Sequence, residues 1–126
     1  MEHQNSSGRL TKRKILVIIG GVIVLVCAII AFIVLTQPER SVANFCRVAK
    51  EEKSVLVGDV NYEKRLESYK KLEAVSPDNI LSDITTIRKG YESIVQNPSN
   101  TISAGLGMAG AESRRTDYIN KNCPDF

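Results

Sequence analysis

Hydrophobic positions along the chain follow two different patterns. From Ile15 to Leu35, 21 consecutive residues carry only apolar side chains and two glycines. At about 1.5 Å per residue this run predicts a helix roughly 31 Å long, close to the hydrocarbon thickness of a bilayer. From Thr36 onward, apolar residues recur every three or four positions and rarely alternate, which predicts helices throughout. The expected fold class is therefore all-α: a single N-terminal transmembrane helix followed by a small bundle of about four helices. Burying the apolar run inside a soluble fold is the competing reading, and the remaining residues offer too little apolar surface to cover all its faces.

Pro38 suits the first turn of a helix on which Phe45, Val48, Ala49, Glu52, Val55 and Leu56 trace one face, and Gly58-Asp59 breaks it. Asn61 is placed to cap a second helix with Tyr62, Leu66, Tyr69 and Leu72 on its apolar side and Glu67 to Lys71 as an outward pair. Ser76-Pro77-Asp78 predicts an N-cap, a first-turn proline and a first-turn acid for a third helix, whose seam is Ile80, Ile84, Ile87, Tyr91 and Ile94. Asn97-Pro98 ends it. After a small-residue stretch, a last helix is expected from near Ala109 to Asn122, with Ala111, Arg115, Tyr118 and Ile119 facing inward. No internal repeat is visible.

Charge adds orientation. The formal net charge of +3 arises entirely before the apolar run, where Arg9, Lys12, Arg13 and Lys14 oppose Glu2, while 13 basic and 13 acidic residues balance beyond it. The positive-inside rule then places the N-terminus in the cytoplasm and the C-terminal part outside it. The expected organisation is a cytoplasmic basic tail at 1–14, a transmembrane helix at 15–35, a juxtamembrane segment at 36–44 and an extracytoplasmic helical domain at 45–126. A balanced external segment does not call for nucleic acid as a partner. The run exceeds the 7–15 residues typical of a cleaved signal, so it is expected to be retained. Leu25-Val26-Cys27 lacks the small residue that a lipobox requires before its cysteine. Gly20, Cys27 and Ala31 share one helix face and would permit close approach of another helix, making a homo-oligomer possible.

Candidate chemistry is sparse. Gly105-Leu106-Gly107-Met108-Ala109-Gly110 spells a dinucleotide-binding motif, but no strand precedes it and too little chain follows for a βαβ unit, so no cofactor is expected. Close packing of small residues or a hinge is the simpler reading. The one histidine, His3, lies in the basic tail, leaving no serine–histidine or cysteine–histidine pair and no histidine-ligated metal site in the external part. Its acids, Glu51, Glu52, Glu63 and Glu67 among them, stand beside basic residues as on solvated faces, and no catalytic residue is assigned. Arg114-Arg115, flanked by Glu112 and Asp117, reads as an intrahelical ion-pair network. Asn5-Ser6-Ser7 faces the wrong compartment for glycosylation, and Asn97-Pro98-Ser99 is blocked by its proline.

The cysteines carry more weight. Cys46 and Cys123 are the two outside the apolar run, in a compartment that permits oxidation, so a disulfide between them is expected, with free thiols or an intermolecular bridge as the alternatives. Such a bond would close a loop worth about 4.5 kcal/mol by chain entropy. The segment lacks tryptophan and is poor in apolar residues, so this staple would matter.

Phe45-Cys46, the Ser76-Pro77-Asp78-Asn79-Ile80 helix opening, and Tyr118-Ile119 before Cys123 together resemble small membrane- or lipid-anchored extracytoplasmic proteins of actinobacteria and related Gram-positive bacteria. The resemblance implies location and architecture and no reaction. The expected role is non-enzymatic: a membrane-anchored interaction module, a subunit or modulator of a cell-envelope assembly, with the lipid bilayer and another envelope protein as partners. An envelope-acting enzyme with a carboxylate site, or an immunity or exclusion protein of a mobile element, are the alternatives.

Overall fold

The structure, a computed structural model, describes residues 12–36 and 38–126, with side-chain surroundings given for 17–35 and 38–126. Arg9 lies outside the described residues, as do the side chains of Lys12, Arg13 and Lys14. The chain divides into two compact units, residues 1–37 and 38–126. Among the described residues every regular element is helical.

In the first unit, α1 runs Lys12–Thr36. Its stretch Val17–Leu35 has a mean hydropathy of 3.3 and is long and apolar enough to cross a membrane. Every side chain in that stretch is exposed, including those of Cys27 and Ala31. Cys27 is a free thiol.

The second unit contains α2 (Val42–Glu51), α3 (Lys53–Gly58), α4 (Tyr62–Val75), α5 (Asp78–Gln96), a 3-10 turn (Pro98–Asn100) and α6 (Thr101–Asn122). It begins at Pro38, so residues 38–44, expected as a juxtamembrane segment, belong to it. The first external helix does not start at Pro38. Ser41 caps it, its hydroxyl accepting from the Asn44 N–H at 3.2 Å, and α2 starts at Val42. Glu52, with φ −92° and ψ 3°, then interrupts the expected single helix and separates α2 from α3. The bundle thus has five α-helices rather than about four. Phe45, Val48, Ala49 and Leu56 still reach the core, because the break leaves their face pointing the same way.

Asn61 caps α4 as its residue type predicts, accepting from the Lys64 N–H at 3.1 Å. Ser76 does not cap α5. It is fully buried, and its hydroxyl donates back to the Leu72 carbonyl at 2.7 Å, closing the end of α4 while Pro77 takes the N-cap position. Serine caps by accepting from N–H groups ahead of it, and here the carbonyl behind it takes its proton instead.

Helix α5 is the central element, packing along both α4 and α6, while α2 lies across α4 and α6. All five of its seam residues, Ile80, Ile84, Ile87, Tyr91 and Ile94, are buried. A strict three-and-four seam gives α5 one continuous apolar stripe, and two neighbours share it.

Helix α6 begins eight residues earlier than expected, at Thr101. The glycine-rich hexapeptide is therefore interior helix with negative φ throughout, not a turn. Nor are its glycines uniformly close-packed, since a Cβ at Gly105 or Gly107 would meet nothing within 4 Å. The close approach is at Gly90 of α5, where a Cβ would fall 2.6 Å from the Met108 sulfur.

Cys46 and Cys123 form a disulfide, their Cα atoms 5.3 Å apart across a separation of 77 residues. It joins α2 to the end of α6. Beside it, Phe45 and Tyr118 meet edge to face with ring centroids 5.3 Å apart, so the covalent link and the aromatic contact hold the same junction.

Candidate functional site

Two tyrosines sit in the apolar seams. Tyr69 of α4 and Tyr91 of α5 are 1% and 3% exposed, and their rings stack at 5.3 Å with 19° between planes. A buried phenol needs a hydrogen-bond partner, and both hydroxyls find the same one. Tyr91 donates to Glu112 Oε1 at 3.1 Å, and Tyr69 donates to that oxygen at 3.4 Å. Glu112 is on α6, so one carboxylate draws three helices together at their polar edge.

Two guanidinium groups complete the cluster. Arg65 of α4 donates through Nε to the Asp59 carbonyl at 2.5 Å and through Nη1 to the Tyr91 hydroxyl at 2.8 Å. Arg115 of α6, 8% exposed, occupies an inward position between Ala111 and Ile119. Its Nη2 contacts Glu112 Oε2 at 3.3 Å and Thr116 Oγ at 3.4 Å, and its Nε is buried without a partner. Each guanidinium also stands 5.8 Å from a tyrosine ring centroid, Arg65 over Tyr91 and Arg115 over Tyr69.

The electrostatics follow from this placement. Burial pushes the Tyr69 phenol well above its ordinary range; the nearby Arg115 charge lowers it, but not enough to offset burial and the Glu112 carboxylate. Tyr91 is raised by burial in the same way, with the Arg65 bond acting against it. Burial disfavours the Arg65 charge, but the bond to Tyr91 and the surrounding fields outweigh it and its pKa is raised. Both tyrosines thus stay protonated and Arg65 stays charged. The tyrosine protons are taken up in hydrogen bonds to Glu112, and the cluster presents fixed positive charge at Arg65 and Arg115.

Outside it opens a cleft of about 370 Å³ lined by Arg65, Glu112, Arg115, Thr116 and Asn120, with Leu56, Val57, Ile119 and Phe126 as its apolar wall. This cleft is the candidate site.

Sequence reasoning placed Arg115 on the inner face but assigned the arginine pair to one intrahelical network. That is correct for Arg115 and Glu112. Arg114 instead reaches across to α5, forking onto Asp83 with Nη2 to Oδ1 at 2.7 Å and Nε to the two carboxylate oxygens at 3.0 and 3.1 Å. Similarly, Lys71 does not pair with Glu67; it crosses to Glu52 at 2.5 Å, and Lys70 takes Glu67 at 2.8 Å. Arg65, Tyr69 and Tyr91 were not singled out as polar-site residues. The available signal was the tyrosines themselves, since a phenol in an apolar seam implies a polar partner opposite it.

Other polar clusters serve packing. Glu52 accepts from the Ser68 hydroxyl at 2.6 Å and pairs with Lys71, fixing the α2–α3 bend against α4. Arg88 of α5 sits between Glu73 and Glu92 at 2.6 and 2.7 Å. Among the described residues no group of three or more His, Cys, Asp or Glu is gathered to hold a metal ion.

No protein-family model, curated protein or solved structure matches this chain.

Proposed function

We propose that the protein is a single-pass membrane protein, N-terminus in the cytoplasm, that presents residues 38–126 outside the cytoplasm as a small helical interaction module. The observation that carries this reading is the Cys46–Cys123 disulfide on the C-terminal side of an apolar helix long enough to span a bilayer. Disulfides persist in oxidising compartments, and the basic residues Arg9, Lys12, Arg13 and Lys14 on the other flank favour the matching orientation. The organisation of the second unit also supports a binding role. Arg65, Glu112, Arg115, Thr116 and Asn120 line one cleft beside an apolar wall. In the membrane, Gly20, Cys27 and Ala31 offer a face for a second helix, of another envelope protein or of a second copy.

A membrane-impermeant protease applied to intact cells tests the topology. It should remove epitopes placed after Phe126 and leave an epitope before Glu2 intact. Protection of the C-terminal epitope would overturn the reading.

A further inference from the structure

We propose that the outer face of the first half of α6, carrying Ile102, Gly105, Leu106 and Ala109, is the contact surface for a second copy of this chain, the two α6 helices running antiparallel. The proposal deepens the interaction-module reading by naming a partner, and rests on that reading for the anchor that holds copies in one membrane.

Helix α6 turns one side to the bundle, on which Met108 and Ala111 are buried. Away from that side, Ile102 and Leu106 are 79% and 77% exposed. Spacings of four, three and four put Ile102, Leu106, Ala109 and Ser113 in one stripe, with Gly105 beside it. A single exposed leucine means little, whereas two large apolar side chains one turn apart on an uncharged stripe make a face. Gly105 is an independent observation. Its φ is not positive, and a Cβ there would meet nothing within 4 Å, so neither backbone conformation nor packing among the described residues calls for glycine. Glycine weakens a helix interior. What its missing side chain provides at this position is room for a neighbouring helix to come close.

Charge and size select the occupant. Residues 93–111 contain no acidic or basic side chain, so a charged partner would be desolvated here without gaining an ion pair, while a second copy brings an equally neutral face. The order of residues is self-complementary as well. With a two-fold axis passing between positions 105 and 106 of antiparallel helices, Ile102 lies opposite Ala109 of the second copy and Leu106 opposite its Gly105, so each large side chain meets a small one. A parallel pair would instead set Ile102 on Ile102 and Leu106 on Leu106. Thr101 and Ser103, beside the face, already donate to the Pro98 and Asn100 carbonyls at 2.7 and 3.1 Å, so covering it strands neither hydroxyl. Three helical turns cover less than the about 800 Å² per partner of a free-standing complex, and confinement to one membrane supplies the effective concentration that offsets the deficit.

The test reconstitutes the full chain in phosphatidylcholine vesicles and reads energy transfer between donor- and acceptor-labelled copies. Leu106→Lys sets like charges together at the axis. It should weaken association at least about 10-fold and leave the melting temperature within about 2 °C, because Leu106 is exposed. Gly105→Ala should move the two readouts in opposite directions, the helix becoming more stable and association at least about 3-fold weaker. Gly107→Ala, off the stripe, should stabilise without changing association. Register is read by mild oxidation in a Cys27→Ser background, which removes the free thiol. A mixture of Ile102→Cys and Ala109→Cys should cross-link between copies at several times the yield of either alone or of Glu63→Cys. Energy transfer absent in the wild type, or unchanged by both Leu106→Lys and Gly105→Ala, would overturn the proposal. So would cross-linking of each cysteine variant with itself at the mixture's yield. Quenching of a label at position 102 by quenchers in the lipid, at dilution too high for pairing, would assign the face to the bilayer and overturn it too. The protease experiment reads topology alone, so either reading can fail without the other.

Discussion

Cys46 and Cys123 stand 77 residues apart in sequence and 5.3 Å apart at their Cα atoms, so one covalent bond ties the first helix of the second unit to the residue that ends its last. Breaking it should release the chain entropy of that long loop to the unfolded state. Cys46→Ser is expected to cost about 3–4.5 kcal/mol, read as a lower denaturant midpoint. Oxidised wild type should also run faster than the variant on a non-reducing gel. Equal mobility would exclude an intramolecular bond.

Gly90 and Met108 provide a steric prediction. In α5, alanine is intrinsically favoured over glycine by about 1 kcal/mol, but its Cβ would meet the Met108 sulfur at 2.6 Å. Gly90→Ala should therefore stabilise much less in the wild type than in a Met108→Ala background, where the obstructing atom is gone. A double-mutant cycle measured by thermal unfolding reads the difference, and purely additive effects would refute the contact.

The α2–α3 bend should be acid-sensitive. Lys71 and Ser68, donating to Glu52, hold its carboxyl below the usual range against the opposing effect of burial. A carboxyl with a depressed folded-state pKa contributes stability that is present above its unfolded value and lost as the pH falls through the folded one. Glu52→Gln should be less stable than wild type at pH 7, and the gap should close below about pH 4. A gap unchanged across that range would mean that the ion pair adds nothing.

Buried tyrosines give the opposite limb. Tyr69 and Tyr91 have raised pKa values, chiefly through burial, so the stability they confer is present below about pH 10 and lost as the pH climbs toward their folded values. Replacing Tyr69 with Phe should flatten the alkaline fall in stability. Spectrophotometric titration should find both phenols ionising above the ordinary tyrosine range.

Position on α5 and α6 decides the cost of truncation. Ile87, fully buried where α5 meets its neighbours, should cost about 2–5 kcal/mol as Ile87→Ala. Ile102, 79% exposed near the start of α6, should change stability by less than about 0.5 kcal/mol. Similar costs at both positions would contradict the placement of α6.

The α5 seam shows where local sequence suffices. Ile80, Ile84, Ile87, Tyr91 and Ile94 repeat at helical spacing, and all are buried, because one amphipathic helix needs only a neighbour to cover that stripe. Asn61 caps α4 for an equally local reason, and the apolar run from Ile15 forms α1 from its own residues. Boundaries were less legible. Glu52 splits a helix that looked continuous, and the bend is stabilised by Ser68 and Lys71 of another helix. Ser76 turns backward because its surroundings are fully buried and the Leu72 carbonyl is the acceptor at hand. The glycine-rich start of α6 has weak helix propensity, but beside α5 it is helical, with Met108 buried at Gly90. The site is the extreme case. Arg65, Tyr91 and Glu112 lie on three helices and are 26 and 21 residues apart, so no spacing rule links them. The sequence by itself determined the helical seams of α4 and α5, which run is apolar enough to span a bilayer and which cysteines were available to pair, since these depend on composition and near-neighbour spacing. Only the tertiary structure decided which charges meet and that two arginines border one cleft, because those contacts exist only once α4, α5 and α6 are packed together.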